Sequence, residues 1–188
     1  MIEDLHELIG SRPAGHSLPQ AFYTSPEVYR LDVDVVLRRH WNFVGHESAI
    51  PHAGDYLVCE YDVDSAIVVR GEDGQVRALA NVCRHRGSRI CSEPAGHARG
   101  GAFRCPYHSW TYNLDGSLRK APWLEPDADM STLGLVTVPV EVCQGLIFVS
   151  FSDDPLDFGG VRRALDDALG SFGWSDATVA HEERFSSL

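Results

Sequence analysis

Short apolar runs broken by turn residues dominate the middle of the chain. "WNFVGHE", "DYLVCEYD", "SAIVVRG" and "QVRALANV" are rich in β-branched and aromatic residues, which predicts strands. The stretch Gly71–Gly74 between the last two predicts a tight hairpin. Further on, "SWTYNLDGSLRK" turns at Asp115-Gly116 and "LVTVPVEVCQGLIFVSF" at Gln144-Gly145. Helical spacing occurs towards both ends. In "SPEVYRLDVDVVLRRHW", Ser25 is the N-cap, Pro26 opens the first turn and Glu27 sits beside it. Val28, Leu31, Val35 and Trp41 then form the apolar stripe, in two short helical pieces. Val161, Ala164, Leu165, Ala168, Leu169 and Phe172 predict a second helix over 157–172, with Asp157 as its cap. Residues 1–20, with Gly10, Pro13, Gly15 and Pro19, read as an extended, weakly ordered lead-in. The closing "ATVAHEERFSSL" reads as a short strand or tail. The pattern predicts a mainly β, antiparallel domain over 41–155, preceded by a lead-in and helix (1–40) and followed by a helix and tail (156–188).

With 188 residues the chain can bury one real core. No apolar run approaches a membrane span and the first thirty residues carry no secretion signal, so a cytoplasmic protein is expected. The net charge of −11, from 16 Lys+Arg against 27 Asp+Glu, argues against general nucleic-acid binding. That charge is unevenly spread. Arg84, Arg86, Arg89, Arg99, Arg104, Arg119 and Lys120 crowd one segment, opposed only by Glu93 and Asp115. Such a segment either offsets a bound anionic group or receives an acidic partner. Five cysteines without a secretion signal argue against a disulfide framework. Cys59 and Cys143 lie in strand-like surroundings and read as buried small hydrophobes. Cys83 and Cys105 differ, because each has a histidine at short spacing.

The candidate metal ligands are Cys83-x-His85, in "CRHRGSRIC", and Cys105-x-x-His108, in "CPYHSWTY". Two thiolates and two imidazoles suit either a tetrahedral zinc ion or a Rieske-type [2Fe–2S] cluster. Zinc fingers usually pair Cys with Cys and His with His, whereas here each loop supplies one of each. That alternation suits two irons, one taking both cysteines and the other both histidines. Such a core is net negative. Arg84, Arg86 and Arg89, with backbone N–H groups freed at Gly87, are placed to stabilise it. Zinc with two thiolates and two neutral imidazoles is nearly neutral and needs no such array.

Together with "HWNFVGHESAIPHAGDYLV" and "GLIFVSFSDDP", these stretches resemble the Rieske domain of the large (α) subunit of bacterial ring-hydroxylating-type oxygenases. The resemblance covers roughly residues 20–155. It implies an antiparallel Rieske-type β sandwich with a cluster-binding subdomain and a [2Fe–2S] cofactor on Cys83, His85, Cys105 and His108. Arg86, Gly87, Tyr107 and Trp110 would surround that cofactor, and Trp110 and Tyr112 would limit water access to it. Respiratory Rieske proteins carry a further cysteine in each loop, joined in a disulfide. Ser88 and Tyr107 stand at those positions here, which implies a potential towards the lower end of the Rieske range, around −150 mV. Cys91 reads as packing. Ser109 departs from the family, many members of which have glycine there.

In that family the Rieske domain precedes a catalytic domain, whose mononuclear iron sits on two histidines and a carboxylate. After Lys120 this chain has one histidine, His181, so no such triad is expected and no catalytic residue is assigned. His6, His16, His40, His46, His52 and His97 read as surface or structural residues. The expectation is therefore an electron-transfer domain of an oxidoreductase, a mono- or dioxygenase, ending about where the catalytic domain begins. It would take electrons from a reductase or ferredoxin and relay them to a mononuclear iron in a neighbouring subunit of a homotrimer. A self-standing Rieske ferredoxin and a structural zinc module are the alternatives. The flanking helices argue against the ferredoxin. The motifs look closest to members acting on quaternary amines such as betaine or choline, and aromatic-acid oxygenases share much of the pattern.

Overall fold

A computed structural model describes residues 2–125 and 127–183. Three short helices lead in: α1 (Ile2–Gly10), α2 (Gln20–Thr24) and α3 (Pro26–Leu31). The strands follow as β1 (Asn42–His46), β2 (Asp55–Tyr61), β3 (Asp64–Arg70), β4 (Val76–Ala80), β5 (Ala95–His97), β6 (Ala102–Arg104), β7 (Thr111–Asn113), β8 (Leu118–Lys120), β9 (Thr137–Val138), β10 (Val140–Cys143) and β11 (Leu146–Val149), and the helix α4 (Gly159–Leu169) comes last. All pairings are antiparallel, in sheets ordered β1-β11-β10, β5-β2-β3-β4-β9 and β6-β7-β8.

The middle strand β3 explains the layering. Its residues Ala66, Ile67, Val68 and Val69 are all fully buried, and successive strand side chains point to opposite faces. Ala66 and Val68 therefore join a core with Cys59, Ala78, Ile147 and Val149, beneath the β1-β11-β10 sheet. Ile67 and Val69 join a second core with Leu79, Phe103, Trp110, Tyr112, Leu118 and both candidate cysteine ligands. Register keeps the faces consistent, since Ile67 pairs with Leu79 and Val68 with Ala78. The expected antiparallel sandwich is present, with the candidate site packed on the outer face of the shared five-stranded sheet.

The two-residue turn at Gln144-Gly145 places both residues at positive φ (51° and 76°), as a twist-matched hairpin requires. A Cβ at Gly145 would run into the ring of His46. That ring is held at both nitrogens: Nδ1 accepts from the Ser48 N–H at 3.1 Å, so Nε2 donates to the Trp174 carbonyl at 2.9 Å. The C-terminal segment is thus tied to β1, as it is again where Trp41 Nε1 donates to the Leu156 carbonyl at 2.7 Å.

Four expectations need correction. Residues 2–10 are helical rather than extended, because Ile2, Leu5, Leu8 and Ile9 recur at helical spacing. Ser25 does cap α3, accepting from the Glu27 and Val28 N–H groups, but the helix continues as a π-helical stretch at Asp32–Leu37, in which the Arg38 N–H reaches back to the Val33 carbonyl. The wider turn aligns residues five apart. Val33 is therefore buried with Val28, and Val35 is exposed. Asp157 does not cap α4; Phe158 takes the N-cap position without a side-chain bond, fixed by packing against Trp41 and Phe148. The tail forms no strand over residues 177–183, and the remainder of that expectation lies outside the described residues. Among the described residues no helix is long and apolar enough to cross a membrane.

Candidate metal centre

The two Cys/His loops are copies of one another. In the first, which leaves β4, the Cys83 N–H donates to the Ser88 carbonyl at 2.8 Å and the Gly87 N–H to the Cys83 carbonyl at 3.0 Å. In the second, the tip of the β6–β7 hairpin, Cys105 donates to the Trp110 carbonyl at 2.8 Å and Ser109 to the Cys105 carbonyl at 3.0 Å. The fifth residue of each loop is left-handed, Gly87 at φ 67° and Ser109 at φ 62°. The Gly87 N–H is therefore used to close its own loop. The loop geometry also explains why glycine suits position 109: an L-residue there is strained. The Ser109 hydroxyl offsets part of that by accepting from Arg104 at 2.8 Å. Ser109→Gly is expected to stabilise the chain by about 0.5–1 kcal/mol, a Tm rise of roughly 1–4 °C. A lower Tm in calorimetry would mean that the Arg104 bond outweighs the strain.

These loops bring the four candidate ligands together. Cys83 and Cys105 are each 2% exposed. The His85 and His108 rings are half-buried, with centroids 4.8 Å apart at 68°. Trp110 is buried and stacks on His85 at 4.9 Å, nearly parallel at 5°. Tyr107 lies tilted over His108 at 3.8 Å and is largely exposed. Arg84 and Arg86 are exposed beside the site. Arg89 is not directed at it, being paired with Glu60 of β2.

The hydrogen bonding sorts the thiols. Burial pushes Cys59 and Cys91 up to about 11, the pattern of inert core cysteines. Burial also acts on Cys105, but the N–H groups of Tyr107 and His108, aided by the Cys83 and Ser88 side chains, outweigh it and hold this thiol below its ordinary value. The Tyr112 hydroxyl lies 3.2 Å from Cys83 Sγ and accepts the Arg84 N–H at 3.1 Å. Burial, and then its bond to Cys83, raise Tyr112 well above the usual tyrosine range, so its proton stays and is available for donation to a thiolate at Cys83, the neutral pair being able to bond in either direction. Burial lowers His108, helped by His85 and Arg86, towards the neutral form that binds metals.

The sequence reading missed two contributors. Asn81 is buried and grips the end of the first loop through both ends of its amide. Only its place among apolar residues two positions before Cys83 could have signalled that. Tyr112 reads in the sequence as a residue packed beside the cluster that limits water access, and nothing there reports where its hydroxyl points.

The donor set fits a two-iron group. Nδ1 of His85 and of His108 are buried without any hydrogen-bond partner. A buried orphan of this kind costs about 1–3 kcal/mol, and coordination at Nδ1 removes that cost. Among the described residues no three His, Cys, Asp or Glu side chains are close enough to hold one ion. Two candidate thiolates and two candidate imidazoles suit a binuclear cluster.

Comparison with known proteins agrees. Residues 40–140, more than half of the chain, match the Rieske [2Fe-2S] domain, and such a domain carries a [2Fe–2S] cluster. The glycine betaine monooxygenase oxygenase subunit of Chromohalobacter salexigens is 39% identical over 177 residues, covering 94% of this chain and 39% of that protein. The biphenyl 2,3-dioxygenase subunit alpha of Rhodococcus jostii is 35% identical over 157 residues, 82% of this chain and 33% of that protein. Among solved structures, the apo form of a quaternary ammonium Rieske monooxygenase superposes with a TM-score of 0.76 at 29% identity, covering 87% of this chain and 48% of the other. Naphthalene 1,2-dioxygenase from Rhodococcus sp. gives 0.75 at 32% identity, covering 88% and 39%. The chain spans about two fifths of the length of the curated relatives it matches. It therefore belongs to the Rieske [2Fe–2S] domain family, in the branch homologous to the alpha subunits of Rieske oxygenases.

Proposed function

We propose that Cys83 and Cys105 ligate one iron and His85 and His108 the other, making residues 41–155 the electron-transfer domain of an oxygenase. The observation that carries this reading is the pair of buried, unpartnered Nδ1 atoms on adjacent histidines, beside two buried cysteines. When bound, the [2Fe–2S] cluster supplies a one-electron couple between a reductase or ferredoxin and a mononuclear non-haem iron. The surrounding residues set its environment. Trp110, Phe103 and Leu118 exclude water on the core side. The N–H groups of Tyr107 and His108 favour the thiolate of Cys105. The exposed Arg84, Arg86, Arg99 and Arg104 present positive charge to an acidic electron donor.

In the parent enzyme this domain would serve a catalytic domain in a homotrimer, the assembly that the family resemblance implies. Residues 1–40 and 156–188 would flank the domain as helical extensions. Five free cysteines favour a reducing, cytoplasmic setting. A quaternary ammonium substrate is favoured by the glycine betaine and quaternary ammonium relatives, whereas the dioxygenase relatives act on aromatic compounds. The same relatives are oxygenase components, which favours this reading over a self-standing ferredoxin.

The test is an anaerobic reductive titration of the cluster-loaded chain. It should take up one electron per chain, and the chain alone should form no product from glycine betaine and oxygen. Uptake of no electrons, or product formed by this chain alone, would overturn the reading. Within the same experiment Tyr112→Phe should lower the midpoint potential. A hydrogen bond to a thiolate is worth on the order of 1 kcal/mol net, which is roughly 45 mV for a one-electron couple. An unchanged potential would mean that the hydroxyl does not donate to the bound sulfur.

A further inference from the structure

This fold rarely leaves a buried polar side chain unanswered. Asn42 donates to the carbonyls of Leu37 and His40, His46 is bonded at both ring nitrogens, Asn81 makes four bonds, and Ser150 donates to the Arg38 carbonyl. Among the described residues, three buried side-chain atoms have no partner: Nδ1 of His85, Nδ1 of His108 and Nε1 of Trp110. All three belong to rings that touch one another, His85 lying 4.8 Å from His108 and 4.9 Å from Trp110.

Coordination accounts for the two imidazole atoms but not for the third. An indole nitrogen is a donor only and binds no metal. Trp110 is 4% exposed, so bulk water does not reach it. It belongs to the core cluster that also holds Phe103, Leu118, Cys83 and Cys105, and the last two are the cysteine ligands of the proposed centre. The backbone around it is already committed, the Trp110 carbonyl accepting from Cys105 at 2.8 Å.

We propose that the Trp110 indole N–H donates a hydrogen bond to a sulfur atom of the bound [2Fe–2S] centre. The inference rests on the cluster reading above and deepens it: Trp110 is then a tuning donor as well as a wall against water. Sulfur in such a centre carries negative charge, and more of it after reduction. A donor fixed in a dry pocket therefore favours the reduced state and raises the potential. The near-parallel stack on His85 holds the indole in place, so the donor needs no reorganisation when the electron arrives.

The experiment uses the cluster-loaded chain grown with indole-¹⁵N tryptophan, reduced and examined by pulsed EPR, beside the variant Trp110→Phe. Phenylalanine keeps a ring for His85 to stack on but has no N–H. The wild type should show hyperfine coupling to an indole ¹⁵N and to a proton lost in D₂O, both absent from Trp110→Phe. The variant's one-electron equilibrium should shift three- to tenfold towards the oxidised form, roughly 30–60 mV at about 59 mV per tenfold. A wild-type two-iron signal with no indole coupling overturns the inference while leaving the cluster reading intact. So does a loaded Trp110→Phe with unchanged potential. If that variant fails to load, the wild-type coupling decides alone. A wild type without any two-iron signal removes the cluster reading, and this inference with it.

Discussion

Serine at Cys83 or Cys105, or alanine at His85 or His108, should yield a folded chain that holds almost no iron. The content falls from about two irons per chain to near zero, because an alcohol at neutral pH is a poor ligand and a methyl group is none, so one iron keeps a single protein ligand and the cluster is no longer held at both ends. The fold should survive. The loops are closed by backbone bonds from Cys83 to Ser88 and from Cys105 to Trp110, and these do not involve the replaced side chains. Cys91→Ser is the internal control. Cys91 is buried like Cys83 and Cys105, but burial pushes its thiol up to about 11, so this variant should keep its cluster. Iron and acid-labile sulfide per chain, read beside far-UV circular dichroism, decide the matter. An iron-free Cys91→Ser beside an iron-loaded Cys83→Ser would reassign the ligand.

The second large effect is on stability. Asn81 is 1% exposed. Its Nδ2 donates to the Cys91 carbonyl at 2.7 Å and to Ser65 Oγ at 3.1 Å, while Oδ1 accepts from the N–H groups of Cys91 at 2.8 Å and Ile90 at 3.1 Å. Alanine strands the buried N–H and carbonyl of Cys91 and the partly buried N–H of Ile90, each costing up to about 1–3 kcal/mol when unanswered. Partial entry of water reduces the sum, giving an expected loss on the order of 3–4 kcal/mol, or roughly 10 °C in Tm. Iron loading should fall as well, since the end of the ligand loop is released. Asn113→Ala, which removes exposed bonds to Ser117 and from Arg119, should cost about 1 kcal/mol or less. Equal Tm losses for the two variants in thermal denaturation would show that the Asn81 grip does not hold the loop.

Much of this protein was legible in its residues because local rules and tertiary structure agree. The strands from β1 to β4 carry β-branched runs, and the marked turns Gly71–Gly74, Asp115-Gly116 and Gln144-Gly145 fall between β3 and β4, β7 and β8, and β10 and β11. The four candidate ligands stood out because Cys-x-His and Cys-x-x-His are chemically unusual spacings. What stayed hidden depends on contacts distant in sequence. The π-helical stretch at Asp32–Leu37 reads as an ordinary helix, whose periodicity predicts burial of Val35 in place of Val33. Asp157 has the chemistry of a cap, but burial of Phe158 decides where α4 begins. Gly87 and Ser109 share one backbone role, a relation visible only when the loops are superposed. The aims of Asn81, Tyr112 and the Trp110 indole likewise follow from packing and leave no trace in spacing.

The central claim is that Cys83, His85, Cys105 and His108 hold two irons. Its most direct test is metal and acid-labile sulfide analysis of the purified chain, with EPR of the reduced form. The account predicts two irons and two sulfides per chain, no stoichiometric zinc, and a two-iron signal with nitrogen couplings from two histidines. A colourless chain holding one zinc ion and no sulfide would contradict it.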